Sequence, residues 1–570
     1  MMKRIKNNAS VFFPLLIIPI VIFLFFIDIT CRTKPFAPKE TQGVKGISQP
    51  VEIIKDTWGI SHIYAQNQGD LFFAQGFNVA RDRLFQLEMW RRQATGTLAE
   101  ILGPRALKKD IGSRLLKARV DLGEELRHYH PQGEEIIGSF VRGINAYIDL
   151  TREKPSLLPL EFELLGLKPG HWTPDIVISR HNGLFRNAFT EVSLARSVHL
   201  VGKEKSREFL NLEPGNPDLV PDESIDLSLI SSEIMELYSS SRSSVRFEPE
   251  DIRLLDPPFD LNPDMSPGSN NWVVRGTLTH TGYPFMANDP HRSQQIPSLR
   301  YWVHLNAPGW HVIGGGEPAL PGISIGHNEY GAWGLTIFAI DQEDLYVYDT
   351  NPQNPDQYKY RSDWEDMTII QETIPVKNEN PVTIALKYTR HGPVLHEDIE
   401  NHRAYALRAA WLEIGGAPYL ASLRMDQAKN WQEFREACQY SHTPSENMVW
   451  ADRENNIGWQ AVGITPIRKS WKGLLPVGGD GRYEWEGYLP IRDLPHVFNP
   501  PEDYFATANQ NNVPEGYPHA LGFMWSEPYR FMRIEEVLKS GGDFTIENMK
   551  SLQQDVLSIP ARTLIPYLKE

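Results

Sequence analysis

The sequence predicts an α+β fold in two lobes joined by a connector, and three observations carry that prediction. From Gln42 to about Asp222 the apolar residues recur at helical spacing. From Ser269 to Glu570 the chain is strand-rich, with few long helical patterns before Trp431. Between the lobes, Pro214 to Pro263 has the composition of exposed chain. It contains Pro214-Gly215-Asn216-Pro217, a serine run from Ser239 to Ser244 broken only by Arg242, and Asp256-Pro257-Pro258.

In the first lobe, Pro50 to Ile54 alternates and meets the turn Asp56-Thr57-Trp58-Gly59, and His62 to Ala65 is a second short strand. From Asp70 to Leu102 the residues Phe73, Phe77, Ala80, Leu84, Leu87 and Trp90 mark one face of a helix, which Gly103-Pro104 ends. More helix is expected through Tyr147 and again from Val177 to Val201. The second lobe opens on a hairpin, Trp272-Val273-Val274 and Tyr283 to Ala287 around a Gly/Thr turn. Further strands are expected at Tyr346–Tyr348, Val382–Leu386 and Ala404–Leu407.

With 570 residues the chain is several domains long at roughly 150 residues each. A hydrophobic content of 41% and a charged content of 23% are those of a globular protein. The net charge of −15 and the lack of a basic patch exclude a nucleic-acid partner. Two cysteines, Cys31 and Cys438, make no disulfide framework, and Cys438 reads as a buried helical thiol. Residues 1–35 read as a signal or anchor segment: Lys3, Arg4 and Lys6 precede an uncharged apolar stretch from Val11 to Ile27. The positive flank comes first, so the remainder is translocated. The expectation is an exported protein, periplasmic or envelope-associated in a bacterium. Cleavage, membrane anchoring through 11–27 and lipidation at Cys31 all stay open.

One stretch organises the rest. Met265-Ser266-Pro267-Gly268-Ser269-Asn270-Asn271-Trp272 runs from the connector, through a flexible glycine, into a buried strand. The expectation is a cut between Gly268 and Ser269 that removes 223–268 as a spacer and leaves Ser269 as a new N-terminus and nucleophile. A serine hydroxyl needs a base. The freed α-amine, with a pKa of about 7.7–8.0, supplies one through a water. Two other motifs are set aside. Gly322-Ile323-Ser324-Ile325-Gly326 matches a nucleophile elbow, but the pattern after it is strand-like rather than helical. His396-Glu397-Asp398-Ile399-Glu400 lacks the second histidine of a zinc-protease helix and reads as a solvated loop.

From Pro50 to Glu570 the chain resembles the penicillin acylase family of N-terminal-nucleophile hydrolases. The resemblance rests in the first lobe on Asp70 to Gly76, Arg81 to Glu88 and Gly96 to Glu100. In the second it rests on Gly268 to Trp272, Gly326-His327-Asn328, Ala332 to Thr336, Arg390 to Val394 and Thr507 to Asn512. It implies a four-layer αββα sandwich, self-cleavage into two chains (42–222 and 269–570) and hydrolysis of an amide between an acyl group and an amine. β-Lactams and acyl-homoserine lactones are among the family's substrates. It implies the side-chain amide of Asn511 and the backbone N–H of Ile337 as oxyanion donors, His291 as an orienting residue, and Arg530 beside the active site. Phe185 matches a position lining the acyl pocket, where an aromatic favours an apolar acyl group. Glu191, Asp341, Glu343 and Asp344 match a Ca²⁺ site whose oxygen ligands come from both lobes. A further acidic ligand expected after Tyr517-Pro518 is replaced by His519-Ala520-Leu521. The chain also ends at Glu570, well short of the family's second chains, so a C-terminal part is expected to be missing. The competing expectation is a truncated, non-catalytic, envelope-associated protein that only binds ligand.

Overall fold

Helix Gln68–Thr95 begins where Asn67, in an extended conformation, accepts a hydrogen bond from the Asp70 N–H. It ends at Gly96, whose φ of 60° closes a left-handed cap. A single non-helical residue, Arg83, kinks it. Helix Gly133–Glu153 packs against it very closely. A Cβ at Gly76 would sit 2.0 Å from the Phe140 carbonyl oxygen, and one at Gly143 would sit 1.9 Å from that of Phe73. Only glycine permits that approach. The pair buries Leu71, Phe72, Phe140 and Ile144 in the same core as Trp333, Leu335, Met448 and Trp450 of a nine-stranded sheet.

This computed structural model describes residues 40–569 apart from 182–183, 185, 249–250, 252–267 and 293–294. Gly46–Glu570 forms one compact unit, and residues 40–45 carry no helix or strand. The segment expected to anchor the chain at 11–27, Cys31, Phe185 and residues 252–267 of the spacer, immediately before the expected cut, lie outside the described residues. Among the described residues no helix is long and apolar enough to cross a membrane.

The nine-stranded sheet runs in the order Glu52–Lys55, Ser61–Tyr64, Tyr301–Ala307, Trp310–Gly316, Ile325–Asn328, Gly331–Ile337, Glu446–Asp452, Ile457–Val462, His496–Phe498. Its first two strands come from the first lobe. Ser61–Tyr64 joins the second lobe by parallel pairing, Ser61 opposite Val303 and Tyr64 opposite Asn306. Asn288 lies against Gly334, and Thr336 faces Thr507, so the other face carries a three-stranded sheet ordered Tyr504–Thr507, Gly268–Val274, Phe285–His291. Trp272 and Val274 share a third core with Ile534 and Leu538 of helix Tyr529–Ser540 and with Met549 of helix Ile546–Gln553.

An eight-stranded sheet has Glu343–Asn351 beside Arg403–Ala409 near its centre. Helix Asn187–Val201 packs there, and so, against expectation, does part of the connector. Ile230, Ile234, Met235 and Tyr238 are buried, and Ser239 to Arg242 complete helix Glu236–Arg242. The continuous helix expected from Val177 to Val201 is interrupted. Helix Pro174–Val177 stops, and Arg180 turns inward to pair with Glu125 at 2.7 Å and to donate to the Trp411 and Glu413 carbonyls. His396 lies on strand Gly392–Asp398 rather than in a loop. Ser324 is buried between strands, with no helix after it to make an elbow. Cys438 is buried in helix Trp431–Cys438, and burial raises its thiol pKa.

Candidate active site

Strand Gly268–Val274 is paired on both sides, and the two registers assemble the site. On one side Gly268 lies opposite His291 and Ser269 opposite Pro290. On the other Thr507 lies opposite Asn271. Two further steps along that antiparallel register bring Asn509 level with Ser269. Asn509 adopts a left-handed φ of 69°, a conformation asparagine tolerates, and its side chain turns onto the serine. Asn509 Nδ2 donates to Ser269 Oγ at 3.0 Å and to the Ile337 carbonyl at 3.1 Å. The Ile337 N–H donates to the same Oγ at 3.2 Å, and the Ser269 N–H donates to Asn509 Oδ1 at 2.8 Å.

Two N–H donors, one at the end of strand Gly331–Ile337 and one in the turn after strand Tyr504–Thr507, thus converge on one hydroxyl that is 2% exposed. Arg530 locks the arrangement from the start of helix Tyr529–Ser540. It donates to the Ser269 carbonyl at 2.9 Å, to Asn270 Oδ1 at 2.7 Å and to Asn509 Oδ1 at 3.0 Å. With Oδ1 taken by Arg530 and by the Ser269 N–H, the NH₂ end of the Asn509 amide is the end that faces Oγ. Burial lowers the pKa of Arg530. Asn447 donates to Thr336 Oγ1 and to the Ile337 carbonyl from behind, holding on both sides the residue whose N–H reaches Ser269.

Of the residues expected at the site, Ser269, Ile337 and Arg530 are brought together. Asn511 is not, and this is a correction. Its Oδ1 caps a turn by accepting from the Val513 N–H at 3.0 Å, and Asn509 stands at the serine in its place. Asn447 escaped the sequence reading, because a lone asparagine in an apolar strand carries no local signal. His291 sits beside the expected cut. A Cβ on Gly268 would come within 3.0 Å of its Nδ1. Its Nε2 lies 3.2 Å from Asn270 Nδ2 and 3.3 Å from Asp289 Oδ2, and the hydrogen bond from His291 holds Asp289 below the usual carboxylate range.

The four acidic residues expected to bind Ca²⁺ do gather at the junction of the lobes, but their donors are already committed. Glu343 takes Tyr238 Oη, Trp411 Nε1 and the Ala188 N–H. Asp344 takes Arg468 Nε at 2.6 Å and both Trp471 Nε1 and Trp485 Nε1. Asp341 lies 3.3 Å from the same guanidinium. Glu191 accepts from the Leu345 N–H through one oxygen, and the other has no hydrogen-bond partner among the described residues. Burial raises the Glu191 carboxyl pKa well above the ordinary range, with Asp344 and Asp341 adding to it, and pushes Asp341 up to about 8. These side chains fit a guanidinium rather than a divalent cation. No group of three or more His, Cys, Asp or Glu among the described residues is arranged to hold a metal.

The chain is similar to known proteins over most of its length. The chain is 29% identical over 529 residues to penicillin acylase 2 proenzyme of Pseudomonas sp. (strain SE83), covering 90% of this chain and 65% of that one. It is 29% identical over 541 residues to penicillin G acylase of Escherichia coli, covering 86% and 63%. It is 29% identical over 539 residues to acyl-homoserine lactone acylase QuiP of Pseudomonas aeruginosa, covering 91% and 62%. The chain therefore spans a little under two thirds of the length of the curated relatives it matches. Among solved structures, thermostable penicillin G acylase from Alcaligenes faecalis in its orthorhombic form is 26% identical, with a TM-score of 0.49 over 53% of this chain and 55% of that one. The family model for penicillin amidase matches residues 50–570, and the chain belongs to that family.

Proposed function

We propose that this chain is a self-processing amide hydrolase that acts through an acyl-enzyme on Ser269. The observation that carries the reading is the convergence of the Ile337 N–H and Asn509 Nδ2 on Ser269 Oγ, at 3.2 and 3.0 Å. An oxyanion formed on a carbonyl carbon bonded to Oγ lies within reach of both donors. Losing one such donor typically costs about 10²–10³ in turnover.

In the precursor, Oγ attacks the Gly268 carbonyl carbon, and the peptide bond to the Ser269 nitrogen breaks as an ester to Oγ forms. Water hydrolyses the ester, leaving a Gly268 carboxylate and the free α-amine of Ser269. In the processed enzyme that amine, through a water, takes the Oγ proton as Oγ attacks the substrate's acyl carbon. The proton passes to the departing amine, and a second water releases the acid. Asn509 and Ile337 serve both reactions, Arg530 holds Ser269 and Asn509 in register, and His291 orients the chain at the cut.

The helical pair packed on the nine-stranded sheet, and the two helices packed on the three-stranded sheet that bears Ser269, support reading the fold as the αββα sandwich of N-terminal-nucleophile hydrolases. Small N-acyl amides are the proposed substrates, in keeping with the penicillins and acyl-homoserine lactones in the relatives' names. The basic and apolar character of residues 3–27 supports export to the cell envelope. Mass analysis of the purified protein is expected to find a chain beginning at Ser269, and Ser269→Ala is expected to stay uncut and to release no acid from any amide. A Ser269→Ala protein that still cuts or still hydrolyses amides would sink the proposal.

A further inference from the structure

The part of the nine-stranded sheet that joins the two lobes carries a group of histidines that the mechanism does not use. His62 stands directly opposite His304 where Ser61–Tyr64 pairs in parallel with Tyr301–Ala307. The row continues through Ile313 to His327 on the next two strands. His311 lies two residues before Ile313, so strand alternation puts it on the same face. Its ring centroid is 5.3 Å from that of His304. His62 and His304 are 242 positions apart in the chain, and the sheet alone brings them together.

These two histidines meet nitrogen to nitrogen. Their Nδ1 atoms are 3.0 Å apart, with the ring planes at 77°. Asp56 Oδ2 lies 3.4 Å from His62 Nε2, and Asp56 Oδ1 is itself held by the Trp58 and Ile60 N–H groups. A carboxylate at Nε2 draws the His62 proton there and leaves Nδ1 with a lone pair. Burial first, then His62, His311 and His327 around it, lower the His304 pKa to about 4, so its ring is neutral at pH 7. Neutral imidazole is the form that binds a metal. His62 and Asp56 are both partly open to solvent, which gives an ion a way in.

We infer that His62 and His304 bind one divalent transition-metal ion through their Nδ1 atoms, and that the ion pins the first lobe to the second. Asp56 is the positioning residue and acts through His62. Two nitrogens at about 2.0–2.1 Å from one ion stand about 2.9 Å apart at a right angle and about 3.4 Å apart at the tetrahedral angle. The observed 3.0 Å is close to the right-angled value, and square-planar nitrogen sites are those of Cu²⁺ and Ni²⁺. Cu²⁺ is the expected ion, because it also heads the affinity order of the divalent first-row metals. Binding turns the two rings until both lone pairs converge. It also needs one tautomer change, in which the His304 proton leaves Nδ1 for Nε2 and the charge of the protein stays the same. His311 is held by Glu329 at 3.3 Å and is not assigned as a ligand. Water fills the other positions, in keeping with the lack of a metal-holding group of three among the described residues.

The test uses the full chain dialysed free of metal and titrated with Cu²⁺ in a buffer that does not coordinate it. Wild type is expected to take up one Cu²⁺ with nitrogen hyperfine structure in its EPR spectrum, and its Tm is expected to rise. His62→Gln and His304→Gln are each expected to weaken that binding at least about tenfold and to abolish the rise in Tm. Asp56→Asn keeps an acceptor for the turn and is expected to weaken binding about tenfold. His311→Gln is expected to bind as wild type does, and Zn²⁺ to compete for the same pair more weakly. The Tm of each variant without metal shows whether it has folded. Ser269→Ala is expected to bind Cu²⁺ like wild type, so the result is independent of the hydrolase reading. No uptake by folded wild type would overturn the inference. So would unchanged uptake in a folded His62→Gln or His304→Gln protein, or loss of uptake in His311→Gln. Unchanged affinity in Asp56→Asn would overturn the role given to Asp56.

Discussion

Asn509 and Asn511 differ by two positions in one asparagine-rich run, and local sequence cannot choose between them. The choice is made at long range, by the pairing of Tyr504–Thr507 with Asn271–Val274, which leaves Asn509 level with Ser269. Asn509→Ala is accordingly expected to lower kcat of cut protein by about 10²–10³ and to slow the cut itself. Asn511→Ala loses only a turn hydrogen bond and is expected to keep kcat within several-fold. Equal losses in the two variants would count against this assignment. Glu446 makes a second prediction at this scale. Its folded carboxyl is raised from 4.5 to about 8, by burial first and against the pull of Arg292 and Arg300. Between those values the unfolded chain gives up a proton that the folded chain keeps, so wild-type stability falls as pH rises and levels off above about 8. Glu446→Gln has no such proton to lose. Its Tm relative to wild type is expected to rise steadily from about pH 4.5 to about 8 and then stay constant. A pH-independent difference would show that Glu446 stays ionised in the fold.

At the scale of elements, the helical pair around Gly76 and Gly143 and the hairpin bearing Ser269 were legible, because their periods are regular and their ends carry glycine or proline. The connector was not, because its serine run draws attention away from Ile230, Ile234 and Tyr238, which pack onto the second core. The lobe junction misled for a different reason. Its carboxylates are grouped as a cation site requires, but the cation is a side chain more than a hundred residues along the sequence. Arg468 is only 6% exposed and reaches Asp341, Asp344 and the Glu343 carbonyl at once. Those carboxylates raise its pKa against the opposing effect of burial. We therefore expect chelators and added Ca²⁺ to leave the wild-type Tm unchanged. Arg468→Ala removes one partner of a buried set and is expected to cost about 3–5 kcal/mol. Ca²⁺ is expected to recover part of that loss, because Asp344 and Asp341 then face each other without a cation. A wild-type Tm that falls on chelation would restore the metal.

On the scale of the whole molecule, the position of the proposed cut raises the question of what holds the pieces. Ser61–Tyr64 belongs to the first piece and hydrogen-bonds in parallel to Tyr301–Ala307 of the second. Arg180 and Glu125, a buried pair in the first, together reach Trp411, Glu413 and Gly415 of the second. The Ala188 N–H bonds to Glu343 across the same boundary. The largest core draws on both pieces throughout, with Phe72 and Phe140 against Trp333 and Trp450. None of these contacts depends on the bond between Gly268 and Ser269, so they outlast its cleavage. The two chains are expected to co-elute as one species in size exclusion and to unfold in one calorimetric transition. They are expected to separate only in denaturant. Two resolved transitions, or a first chain that elutes alone from native buffer, would mean that the lobes fold as independent domains. The shared sheet and the shared core would then contribute far less to holding the chains together than their burial implies.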